Sequence, residues 1–155
     1  VRAEGEDFSA SFHQLQDAVR RACRRQVAWE GKVVVGIEVA LEFAAAEPGK
    51  ALALTVEARR PDFGERNPEQ VVLAYFAERL SAVAPTAARK PISTDQSIVE
   101  SIAVFIRGHL LGGTEARLPA TAPDLVYLAL IPYLGLEETK RWAQSADPAA
   151  QIKVR

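Results

Sequence analysis

Apolar side chains recur every three or four positions through most of the chain and strict alternation is almost absent, so the pattern predicts helices and no sheet. Phe8, Phe12, Leu15, Val19 and Ala22 share one face of a first helix, with Arg20, Arg21, Arg24 and Arg25 on the opposite side. A second helix is expected over about 28–46, stopped at Pro48 and Gly49, and a shorter third over about 50–60, stopped by Pro61. Asn67 reads as an N-cap with Pro68 at the first helical position. The fourth helix then carries Val72, Tyr75, Phe76 and Val83 on one side and ends at Pro85. A loop over 86–91 follows, and Ser93 or Thr94 caps a fifth helix with the stripe Ile98, Ile102, Phe105, Ile106 and His109. Gly112 and Gly113 supply its left-handed terminator. Thr121, Pro123 and Asp124 open an apolar helix that runs to Leu134 and stops at Gly135. A polar helix over 136–146 comes last, and the tail over 148–155 is expected to be loose. The expected fold is all-α, a bundle of about seven helices in a single domain spanning 1–155.

The helix ending at Leu134 has an unusual property: its apolar side chains point in every direction. Leu125 and Ala129 cover one side, Leu130 and Leu134 the other, and Leu128 and Ile131 lie between. A helix apolar all round must be covered all round. One face can pack on its own domain, and the economical cover for the other is a second copy of the chain. The expected homodimer pairs this helix and the fifth with their symmetry mates in a four-helix interface. Ile98, Ile102, Ile106, Leu125, Val126, Leu128, Ala129 and Tyr133 are its candidate residues. The competing reading is a central helix in a monomeric bundle.

Composition narrows the function classes. The net charge is −1, which gives no electrostatic footprint for nucleic acid. Cys23 is the one cysteine, so an intrachain disulfide is excluded and a reducing, cytoplasmic location is expected. No run approaches the ~18 consecutive apolar residues of a membrane span, so no membrane partner is expected. No nucleophile elbow, zinc-binding histidine pair, P-loop or dinucleotide fingerprint occurs. His13 and Cys23 are isolated and make no metal-ligand spacing. Neither an enzyme nor a cofactor is expected. The sequence begins at Val1 and holds no methionine, from which a missing N-terminal segment is expected.

The segment Ala122-Pro-Asp-Leu-Val-Tyr-Leu-Ala-Leu-Ile-Pro-Tyr-Leu-Gly135, followed by Leu136-Glu-Glu138, resembles the end of many TetR/AcrR-type regulator C-terminal domains. The segment Trp29-Glu-Gly-Lys-Val-Val-Val-Gly-Ile-Glu-Val-Ala-Leu-Glu-Phe-Ala-Ala-Ala-Glu-Pro48 is similar to that family as well, as is Leu54-Thr-Val-Glu-Ala58 after it. The order of elements matches over about 8–142. The family's N-terminal helix-turn-helix is absent from this stretch, and the helix over 8–27 looks like the connector that would follow it. The resemblance implies a ligand-responsive transcriptional regulator, dimeric, with an apolar effector pocket in each protomer. Operator DNA would be reached only through the missing domain. A small organic effector is then expected in a cavity between the second, third, fourth and fifth helices, with Trp29, Val33, Ile37, Leu54, Glu57, Phe76, Phe105 and His109 as candidate contacts. A helical binding or scaffold module without a DNA role is the alternative.

Several residues carry two readings. Glu38 and Glu42 stand one turn apart on the only polar strip of the second helix, either a solvated strip or, if buried, a site for a cationic ligand. Gly36 either lets helices approach closely or leaves room for a ligand. His109 is either a packed histidine favoured at a helix C-terminus or a polar contact in an apolar pocket. Glu57 is a pocket group or a rim charge. The arginines of the first helix are a solvated face or a phosphate contact.

Overall fold

The computed structural model describes residues 2–55, 68–83 and 92–146. Among them the chain is all-α. In order the helices are α1 (Arg2–Arg24), α2 (Trp29–Ala46), α3 (Pro48–Thr55), α4 (Pro68–Val83), α5 (Ile92–Gly112), α6 (Ala122–Leu134) and α7 (Leu136–Ser145). A 3-10 segment, Glu115–Thr121, joins α5 to α6.

The centre is α2, which touches every other helix and the 3-10 segment. Its sequence explains why, because it is apolar on two sides. Val34, Ile37, Leu41 and Ala44 repeat at three and four and are buried. They pack in one cluster with Leu118, Leu125, Val126, Ala129 and Leu130 from the 3-10 segment and α6. Leu41, Leu118 and Leu130 have no exposed surface at all, and each such side chain contributes about 1.5–3 kcal/mol of burial. The other side of α2 carries Val33, Gly36, Ala40 and Phe43 and faces a second, smaller cluster. There Leu15 of α1, Leu54 of α3 and Val72 of α4 meet, with Phe12 and Phe76 against them.

Two glycines close helices where only a positive φ will serve. Gly113 (φ 72°) lets the Thr114 and Gly113 amides turn back onto the carbonyls of His109 and Leu110, at 2.9 and 3.4 Å, the paired closure expected of a left-handed terminator. Gly135 (φ 78°) ends α6 through its own amide on the Ile131 carbonyl and begins α7 through its carbonyl, which accepts from Thr139.

Four elements differ from the sequence pattern, one of them α5, which begins at Ile92, so that Ser93 and Thr94 fall within its first turn and do not precede it. Helix α1 begins at Arg2, earlier than the apolar repeat starting at Phe8, because periodicity marks where a helix packs and not where its backbone bonds begin. Pro48 opens α3 instead of sitting in a loop. Proline's fixed φ suits a first helical position, where its missing N–H costs nothing, and the Ala51 amide bonds the Glu47 carbonyl at 3.0 Å. Between Gly113 and Thr121 the sequence pattern predicts no element, yet the 3-10 segment there drives Leu118 into the core. The expected third-helix end over 56–60, the loop over 86–91, and the tail over 148–155 lie outside the described residues, as does Glu57.

No described helix is long and apolar enough to cross a membrane.

Candidate functional site

Beside the second cluster the helices do not close up. They leave a cavity of about 420 Å³, within the range of small-molecule sites. From α1 come Leu15, Val19 and Cys23, at a strict spacing of four, flanked by Arg20 and Arg24. From α2 come Val33, Gly36, Ile37, Ala40 and Phe43. Leu54 and Thr55 of α3 and Val72, Leu73 and Phe76 of α4 add further wall. Opposite stand Ile98, Val99, Ile102 and Ile106 of α5, backed by Ala129 of α6.

Four of the expected ligand contacts meet here: Val33, Ile37, Leu54 and Phe76. Three others lie elsewhere. Trp29 packs edge-on against Tyr133, ring centroids 5.4 Å apart. Phe105 and His109 pack against one another at a tilt, centroids 4.9 Å apart, and His109 Nδ1 lies 2.7 Å from the Thr114 hydroxyl, so this histidine fastens the end of α5. The wide stripe on α5 thus serves two surroundings: Ile98, Ile102 and Ile106 turn to the cavity, while Phe105 and His109 turn away. Glu57 cannot be placed.

The residues expected at a dimer interface are also divided. Ile98, Ile102, Ile106 and Ala129 line the protomer's own cavity. Leu125 and Val126 are buried in the core, and Tyr133 is half-buried, its hydroxyl donating to Asp95. Ile98, Ile106, Leu125, Val126 and Ala129 are thus buried within one chain, and Ile102 and Tyr133 partly so. Leu128 stands exposed at 39%, with Ile131 at 40% on the same helix, and Val104 and Leu111 of α5 at 54% and 66%.

Gly36 resolves on geometry. A methyl group added there would meet only Val19 Cγ1, at 3.8 Å, which is ordinary contact. The glycine is not needed for close helix approach, and it leaves space in the cavity wall.

Cys23, Ala40, Arg79 and Val99 also line the cavity, and the sequence pattern does not single them out for it. Cys23 had a readable signal, since it extends the Leu15–Val19 series by one more turn. Its thiol lies 3.5 Å from the Lys32 carbonyl. Burial pushes the thiol up from its ordinary pKa, against the smaller opposing influence of the Arg79 and Lys32 charges.

Two carboxyls are held above the usual range. Burial raises Glu38, with a further contribution from Glu42 one turn away, yet neither residue lines the cavity. Burial also raises Asp95, against the Ser81 hydroxyl. Asp95 accepts from Tyr133 through Oδ1, while Oδ2 finds no partner. Both groups hold protons to higher pH in the folded chain than in the unfolded chain. Their stabilisation is therefore full below the ordinary carboxylate range and is lost as pH rises through the folded-state values. Replacement by Asp95→Asn is expected to flatten this dependence. Urea midpoints measured from about pH 4 to about pH 7 should show wild type losing stability relative to the variant as pH rises. A constant gap between the two across that range would contradict this placement of Asp95.

Among the described residues no group of three or more His, Cys, Asp or Glu side chains is placed to hold a metal ion. Compared with family models, curated proteins and solved structures, the chain finds no match. The chemistry of the site therefore rests on its own residues.

Proposed function

We propose that this chain is the effector-binding and dimerisation domain of a TetR-type transcriptional regulator. The carrying observation is the cavity: about 420 Å³, walled almost entirely by apolar side chains. Interiors ordinarily fill to crystal-like density, and an unfilled space of this size costs stability. A small organic molecule is the occupant such a space suits.

The mechanism follows from the walls. Leu15, Val19 and Cys23 put one face of α1 against the occupant, and α1 is the element that would lead from a helix-turn-helix domain. An effector that fits one setting of α1 against α2 and α4 better than another shifts the population toward it. In a dimer that shift alters the separation of the paired DNA-reading domains, and half-site spacing makes this separation decisive.

Dimerisation is supported by the exposed side of α5 and α6. Ser97, Ser101, Val104, Gly108 and Leu111 repeat at four and three along the solvent side of α5, and Asp124, Leu128, Ile131 and Gly135 do the same on α6. This is the spacing of a helix seam, with small residues that admit a close neighbour.

The test uses decanoate, decanol and decyltrimethylammonium below their micelle concentrations. A ligand at 100-fold its Kd raises stability by about 2.7 kcal/mol, and Cys23 is expected to react more slowly with a thiol reagent when the cavity is filled. Melting temperatures and Cys23 modification rates unaffected by all three compounds would overturn the effector reading.

A further inference from the structure

The cavity is not electrically neutral at its edge. Arg20 and Arg24 of α1, Lys32 of α2 and Arg79 of α4 all line it, and among the described residues no carboxylate does. Within that set the one ion pair is between Lys50 and Glu47, so none of these four cations is paired with a carboxylate. Arg20 donates to the neutral Tyr75 hydroxyl at 3.4 Å, and the Asp17 carboxylate acts on it only weakly, from beyond ion-pair distance.

The four cations also share one end. Leu15 and Val72 pack together, Arg20 reaches Tyr75, and the Arg79 charge acts on Cys23. Cys23, two turns after Leu15 on α1, thus marks the end of the cavity where Arg79 stands, beside Arg20 and Arg24. Helix α2 runs antiparallel to α1, since Cys23 meets Lys32 and Val19 faces Gly36. Lys32 of α2 and Arg79 of α4 therefore both stand at the Cys23 end of the cavity. There lie Arg20, Arg24, Arg79 and Lys32. The opposite end is formed by Leu15, Ala40, Phe43, Leu54 and Val72. From Lys32 to Ala44, both on the lining, α2 rises about 18 Å, which sets the length over which the wall changes from charged to apolar.

We propose that the cavity takes a lipophilic anion, an apolar chain or ring system bearing one carboxylate, sulfonate or phosphate, with its head group among these four cations and its body toward Leu15 and Leu54. An anion is attracted by all four charges. A cation of the same shape is repelled by each, and a neutral analogue gains nothing from them. Glu38 and Glu42, the pair that pointed by sequence to a cationic ligand, do not line the wall. The inference rests on the reading of the cavity as a ligand site and adds the chemical class of its occupant.

The same decyl series separates the two claims. Calorimetric titration is expected to rank decanoate tightest, decanol weaker by about tenfold and decyltrimethylammonium weakest, as several exposed charges each contribute a few-fold. Raising the salt from about 0.05 to about 0.5 M should weaken decanoate and leave decanol unchanged. Arg79→Gln and Lys32→Gln should each weaken decanoate about two- to fivefold without altering decanol, a split that a misfolded variant would not give. If decanol or the ammonium compound binds as tightly as decanoate, the charge inference falls while the ligand site stands. If none of the three binds, the ligand site itself falls.

Discussion

Gly36→Leu is expected to make the protein more stable and to abolish its ability to bind small molecules. Glycine within a helix costs about 1 kcal/mol relative to a good helix former. The Cβ of a leucine there meets Val19 at ordinary contact distance, and since Gly36 lines the cavity the rest of the side chain has that space to fill, where burial contributes about 1.5–3 kcal/mol. Allowing for imperfect fit, we expect a net gain of about 2 kcal/mol, or about 4–8 °C in Tm for a chain of this size. The check is a pair of urea curves, with the midpoint raised and the slope unchanged, and decyl compounds that no longer shift either. A solid core would respond in the opposite direction, because overpacking costs about 1–3 kcal/mol. The sign alone distinguishes a site kept open for function from one already filled.

The second large effect concerns the surface of α6. In a two-fold dimer each substitution is felt twice. Leu128→Glu or Ile131→Glu would place two like charges at the seam, desolvated and unpaired, at a cost of about 3–5 kcal/mol. Dimer dissociation constants should rise by more than about a hundredfold, moving the protein from dimer to monomer at micromolar concentration in sedimentation velocity. Both positions are exposed in the protomer, so far-UV helicity and the ligand response of the monomer should survive. A wild-type chain that sediments as a monomer, or variants that remain dimeric, would remove α6 from any interface.

Much of this architecture was legible from residue types. Helix starts and stops followed from Pro68, Gly113 and Gly135, whose backbone chemistry is local and needs no knowledge of neighbours. Half of the candidate ligand contacts were legible for a related reason: Val33, Ile37, Leu54 and Phe76 lie on apolar faces, and apolar faces turn inward. Which interior they turn toward was not legible. Trp29 and Phe105 have the same apolar character as Phe76, yet they pack away from the cavity, because α2 and α5 each bury two faces and a wheel does not rank them. The same ambiguity assigned Ile98, Ile102 and Ile106 to a partner chain when the protomer's own cavity claims them. The cations were the least legible. Arg20 and Arg24 sit opposite the Phe8–Val19 stripe on a wheel, but a cavity open at one edge is reached by residues flanking its inner face. Lys32 and Arg79 complete the set only because three helices pass that edge together, and their pairing is a property of the fold, not of any one segment.

The central claim is that the hollow between α1, α2, α4 and α5 holds a small molecule. Isotope-filtered nuclear Overhauser spectra of the protein with decanol, whose lack of charge makes the result independent of the head-group inference, test it most directly. The expected result is a set of cross-peaks from the decyl chain to the methyl groups of Leu15, Ile37, Leu54 and Ile102, all of which line the cavity. Cross-peaks confined to the exposed Val104, Leu111, Leu128 and Ile131 would contradict it, since binding would then be adhesion to the outer surface of α5 and α6.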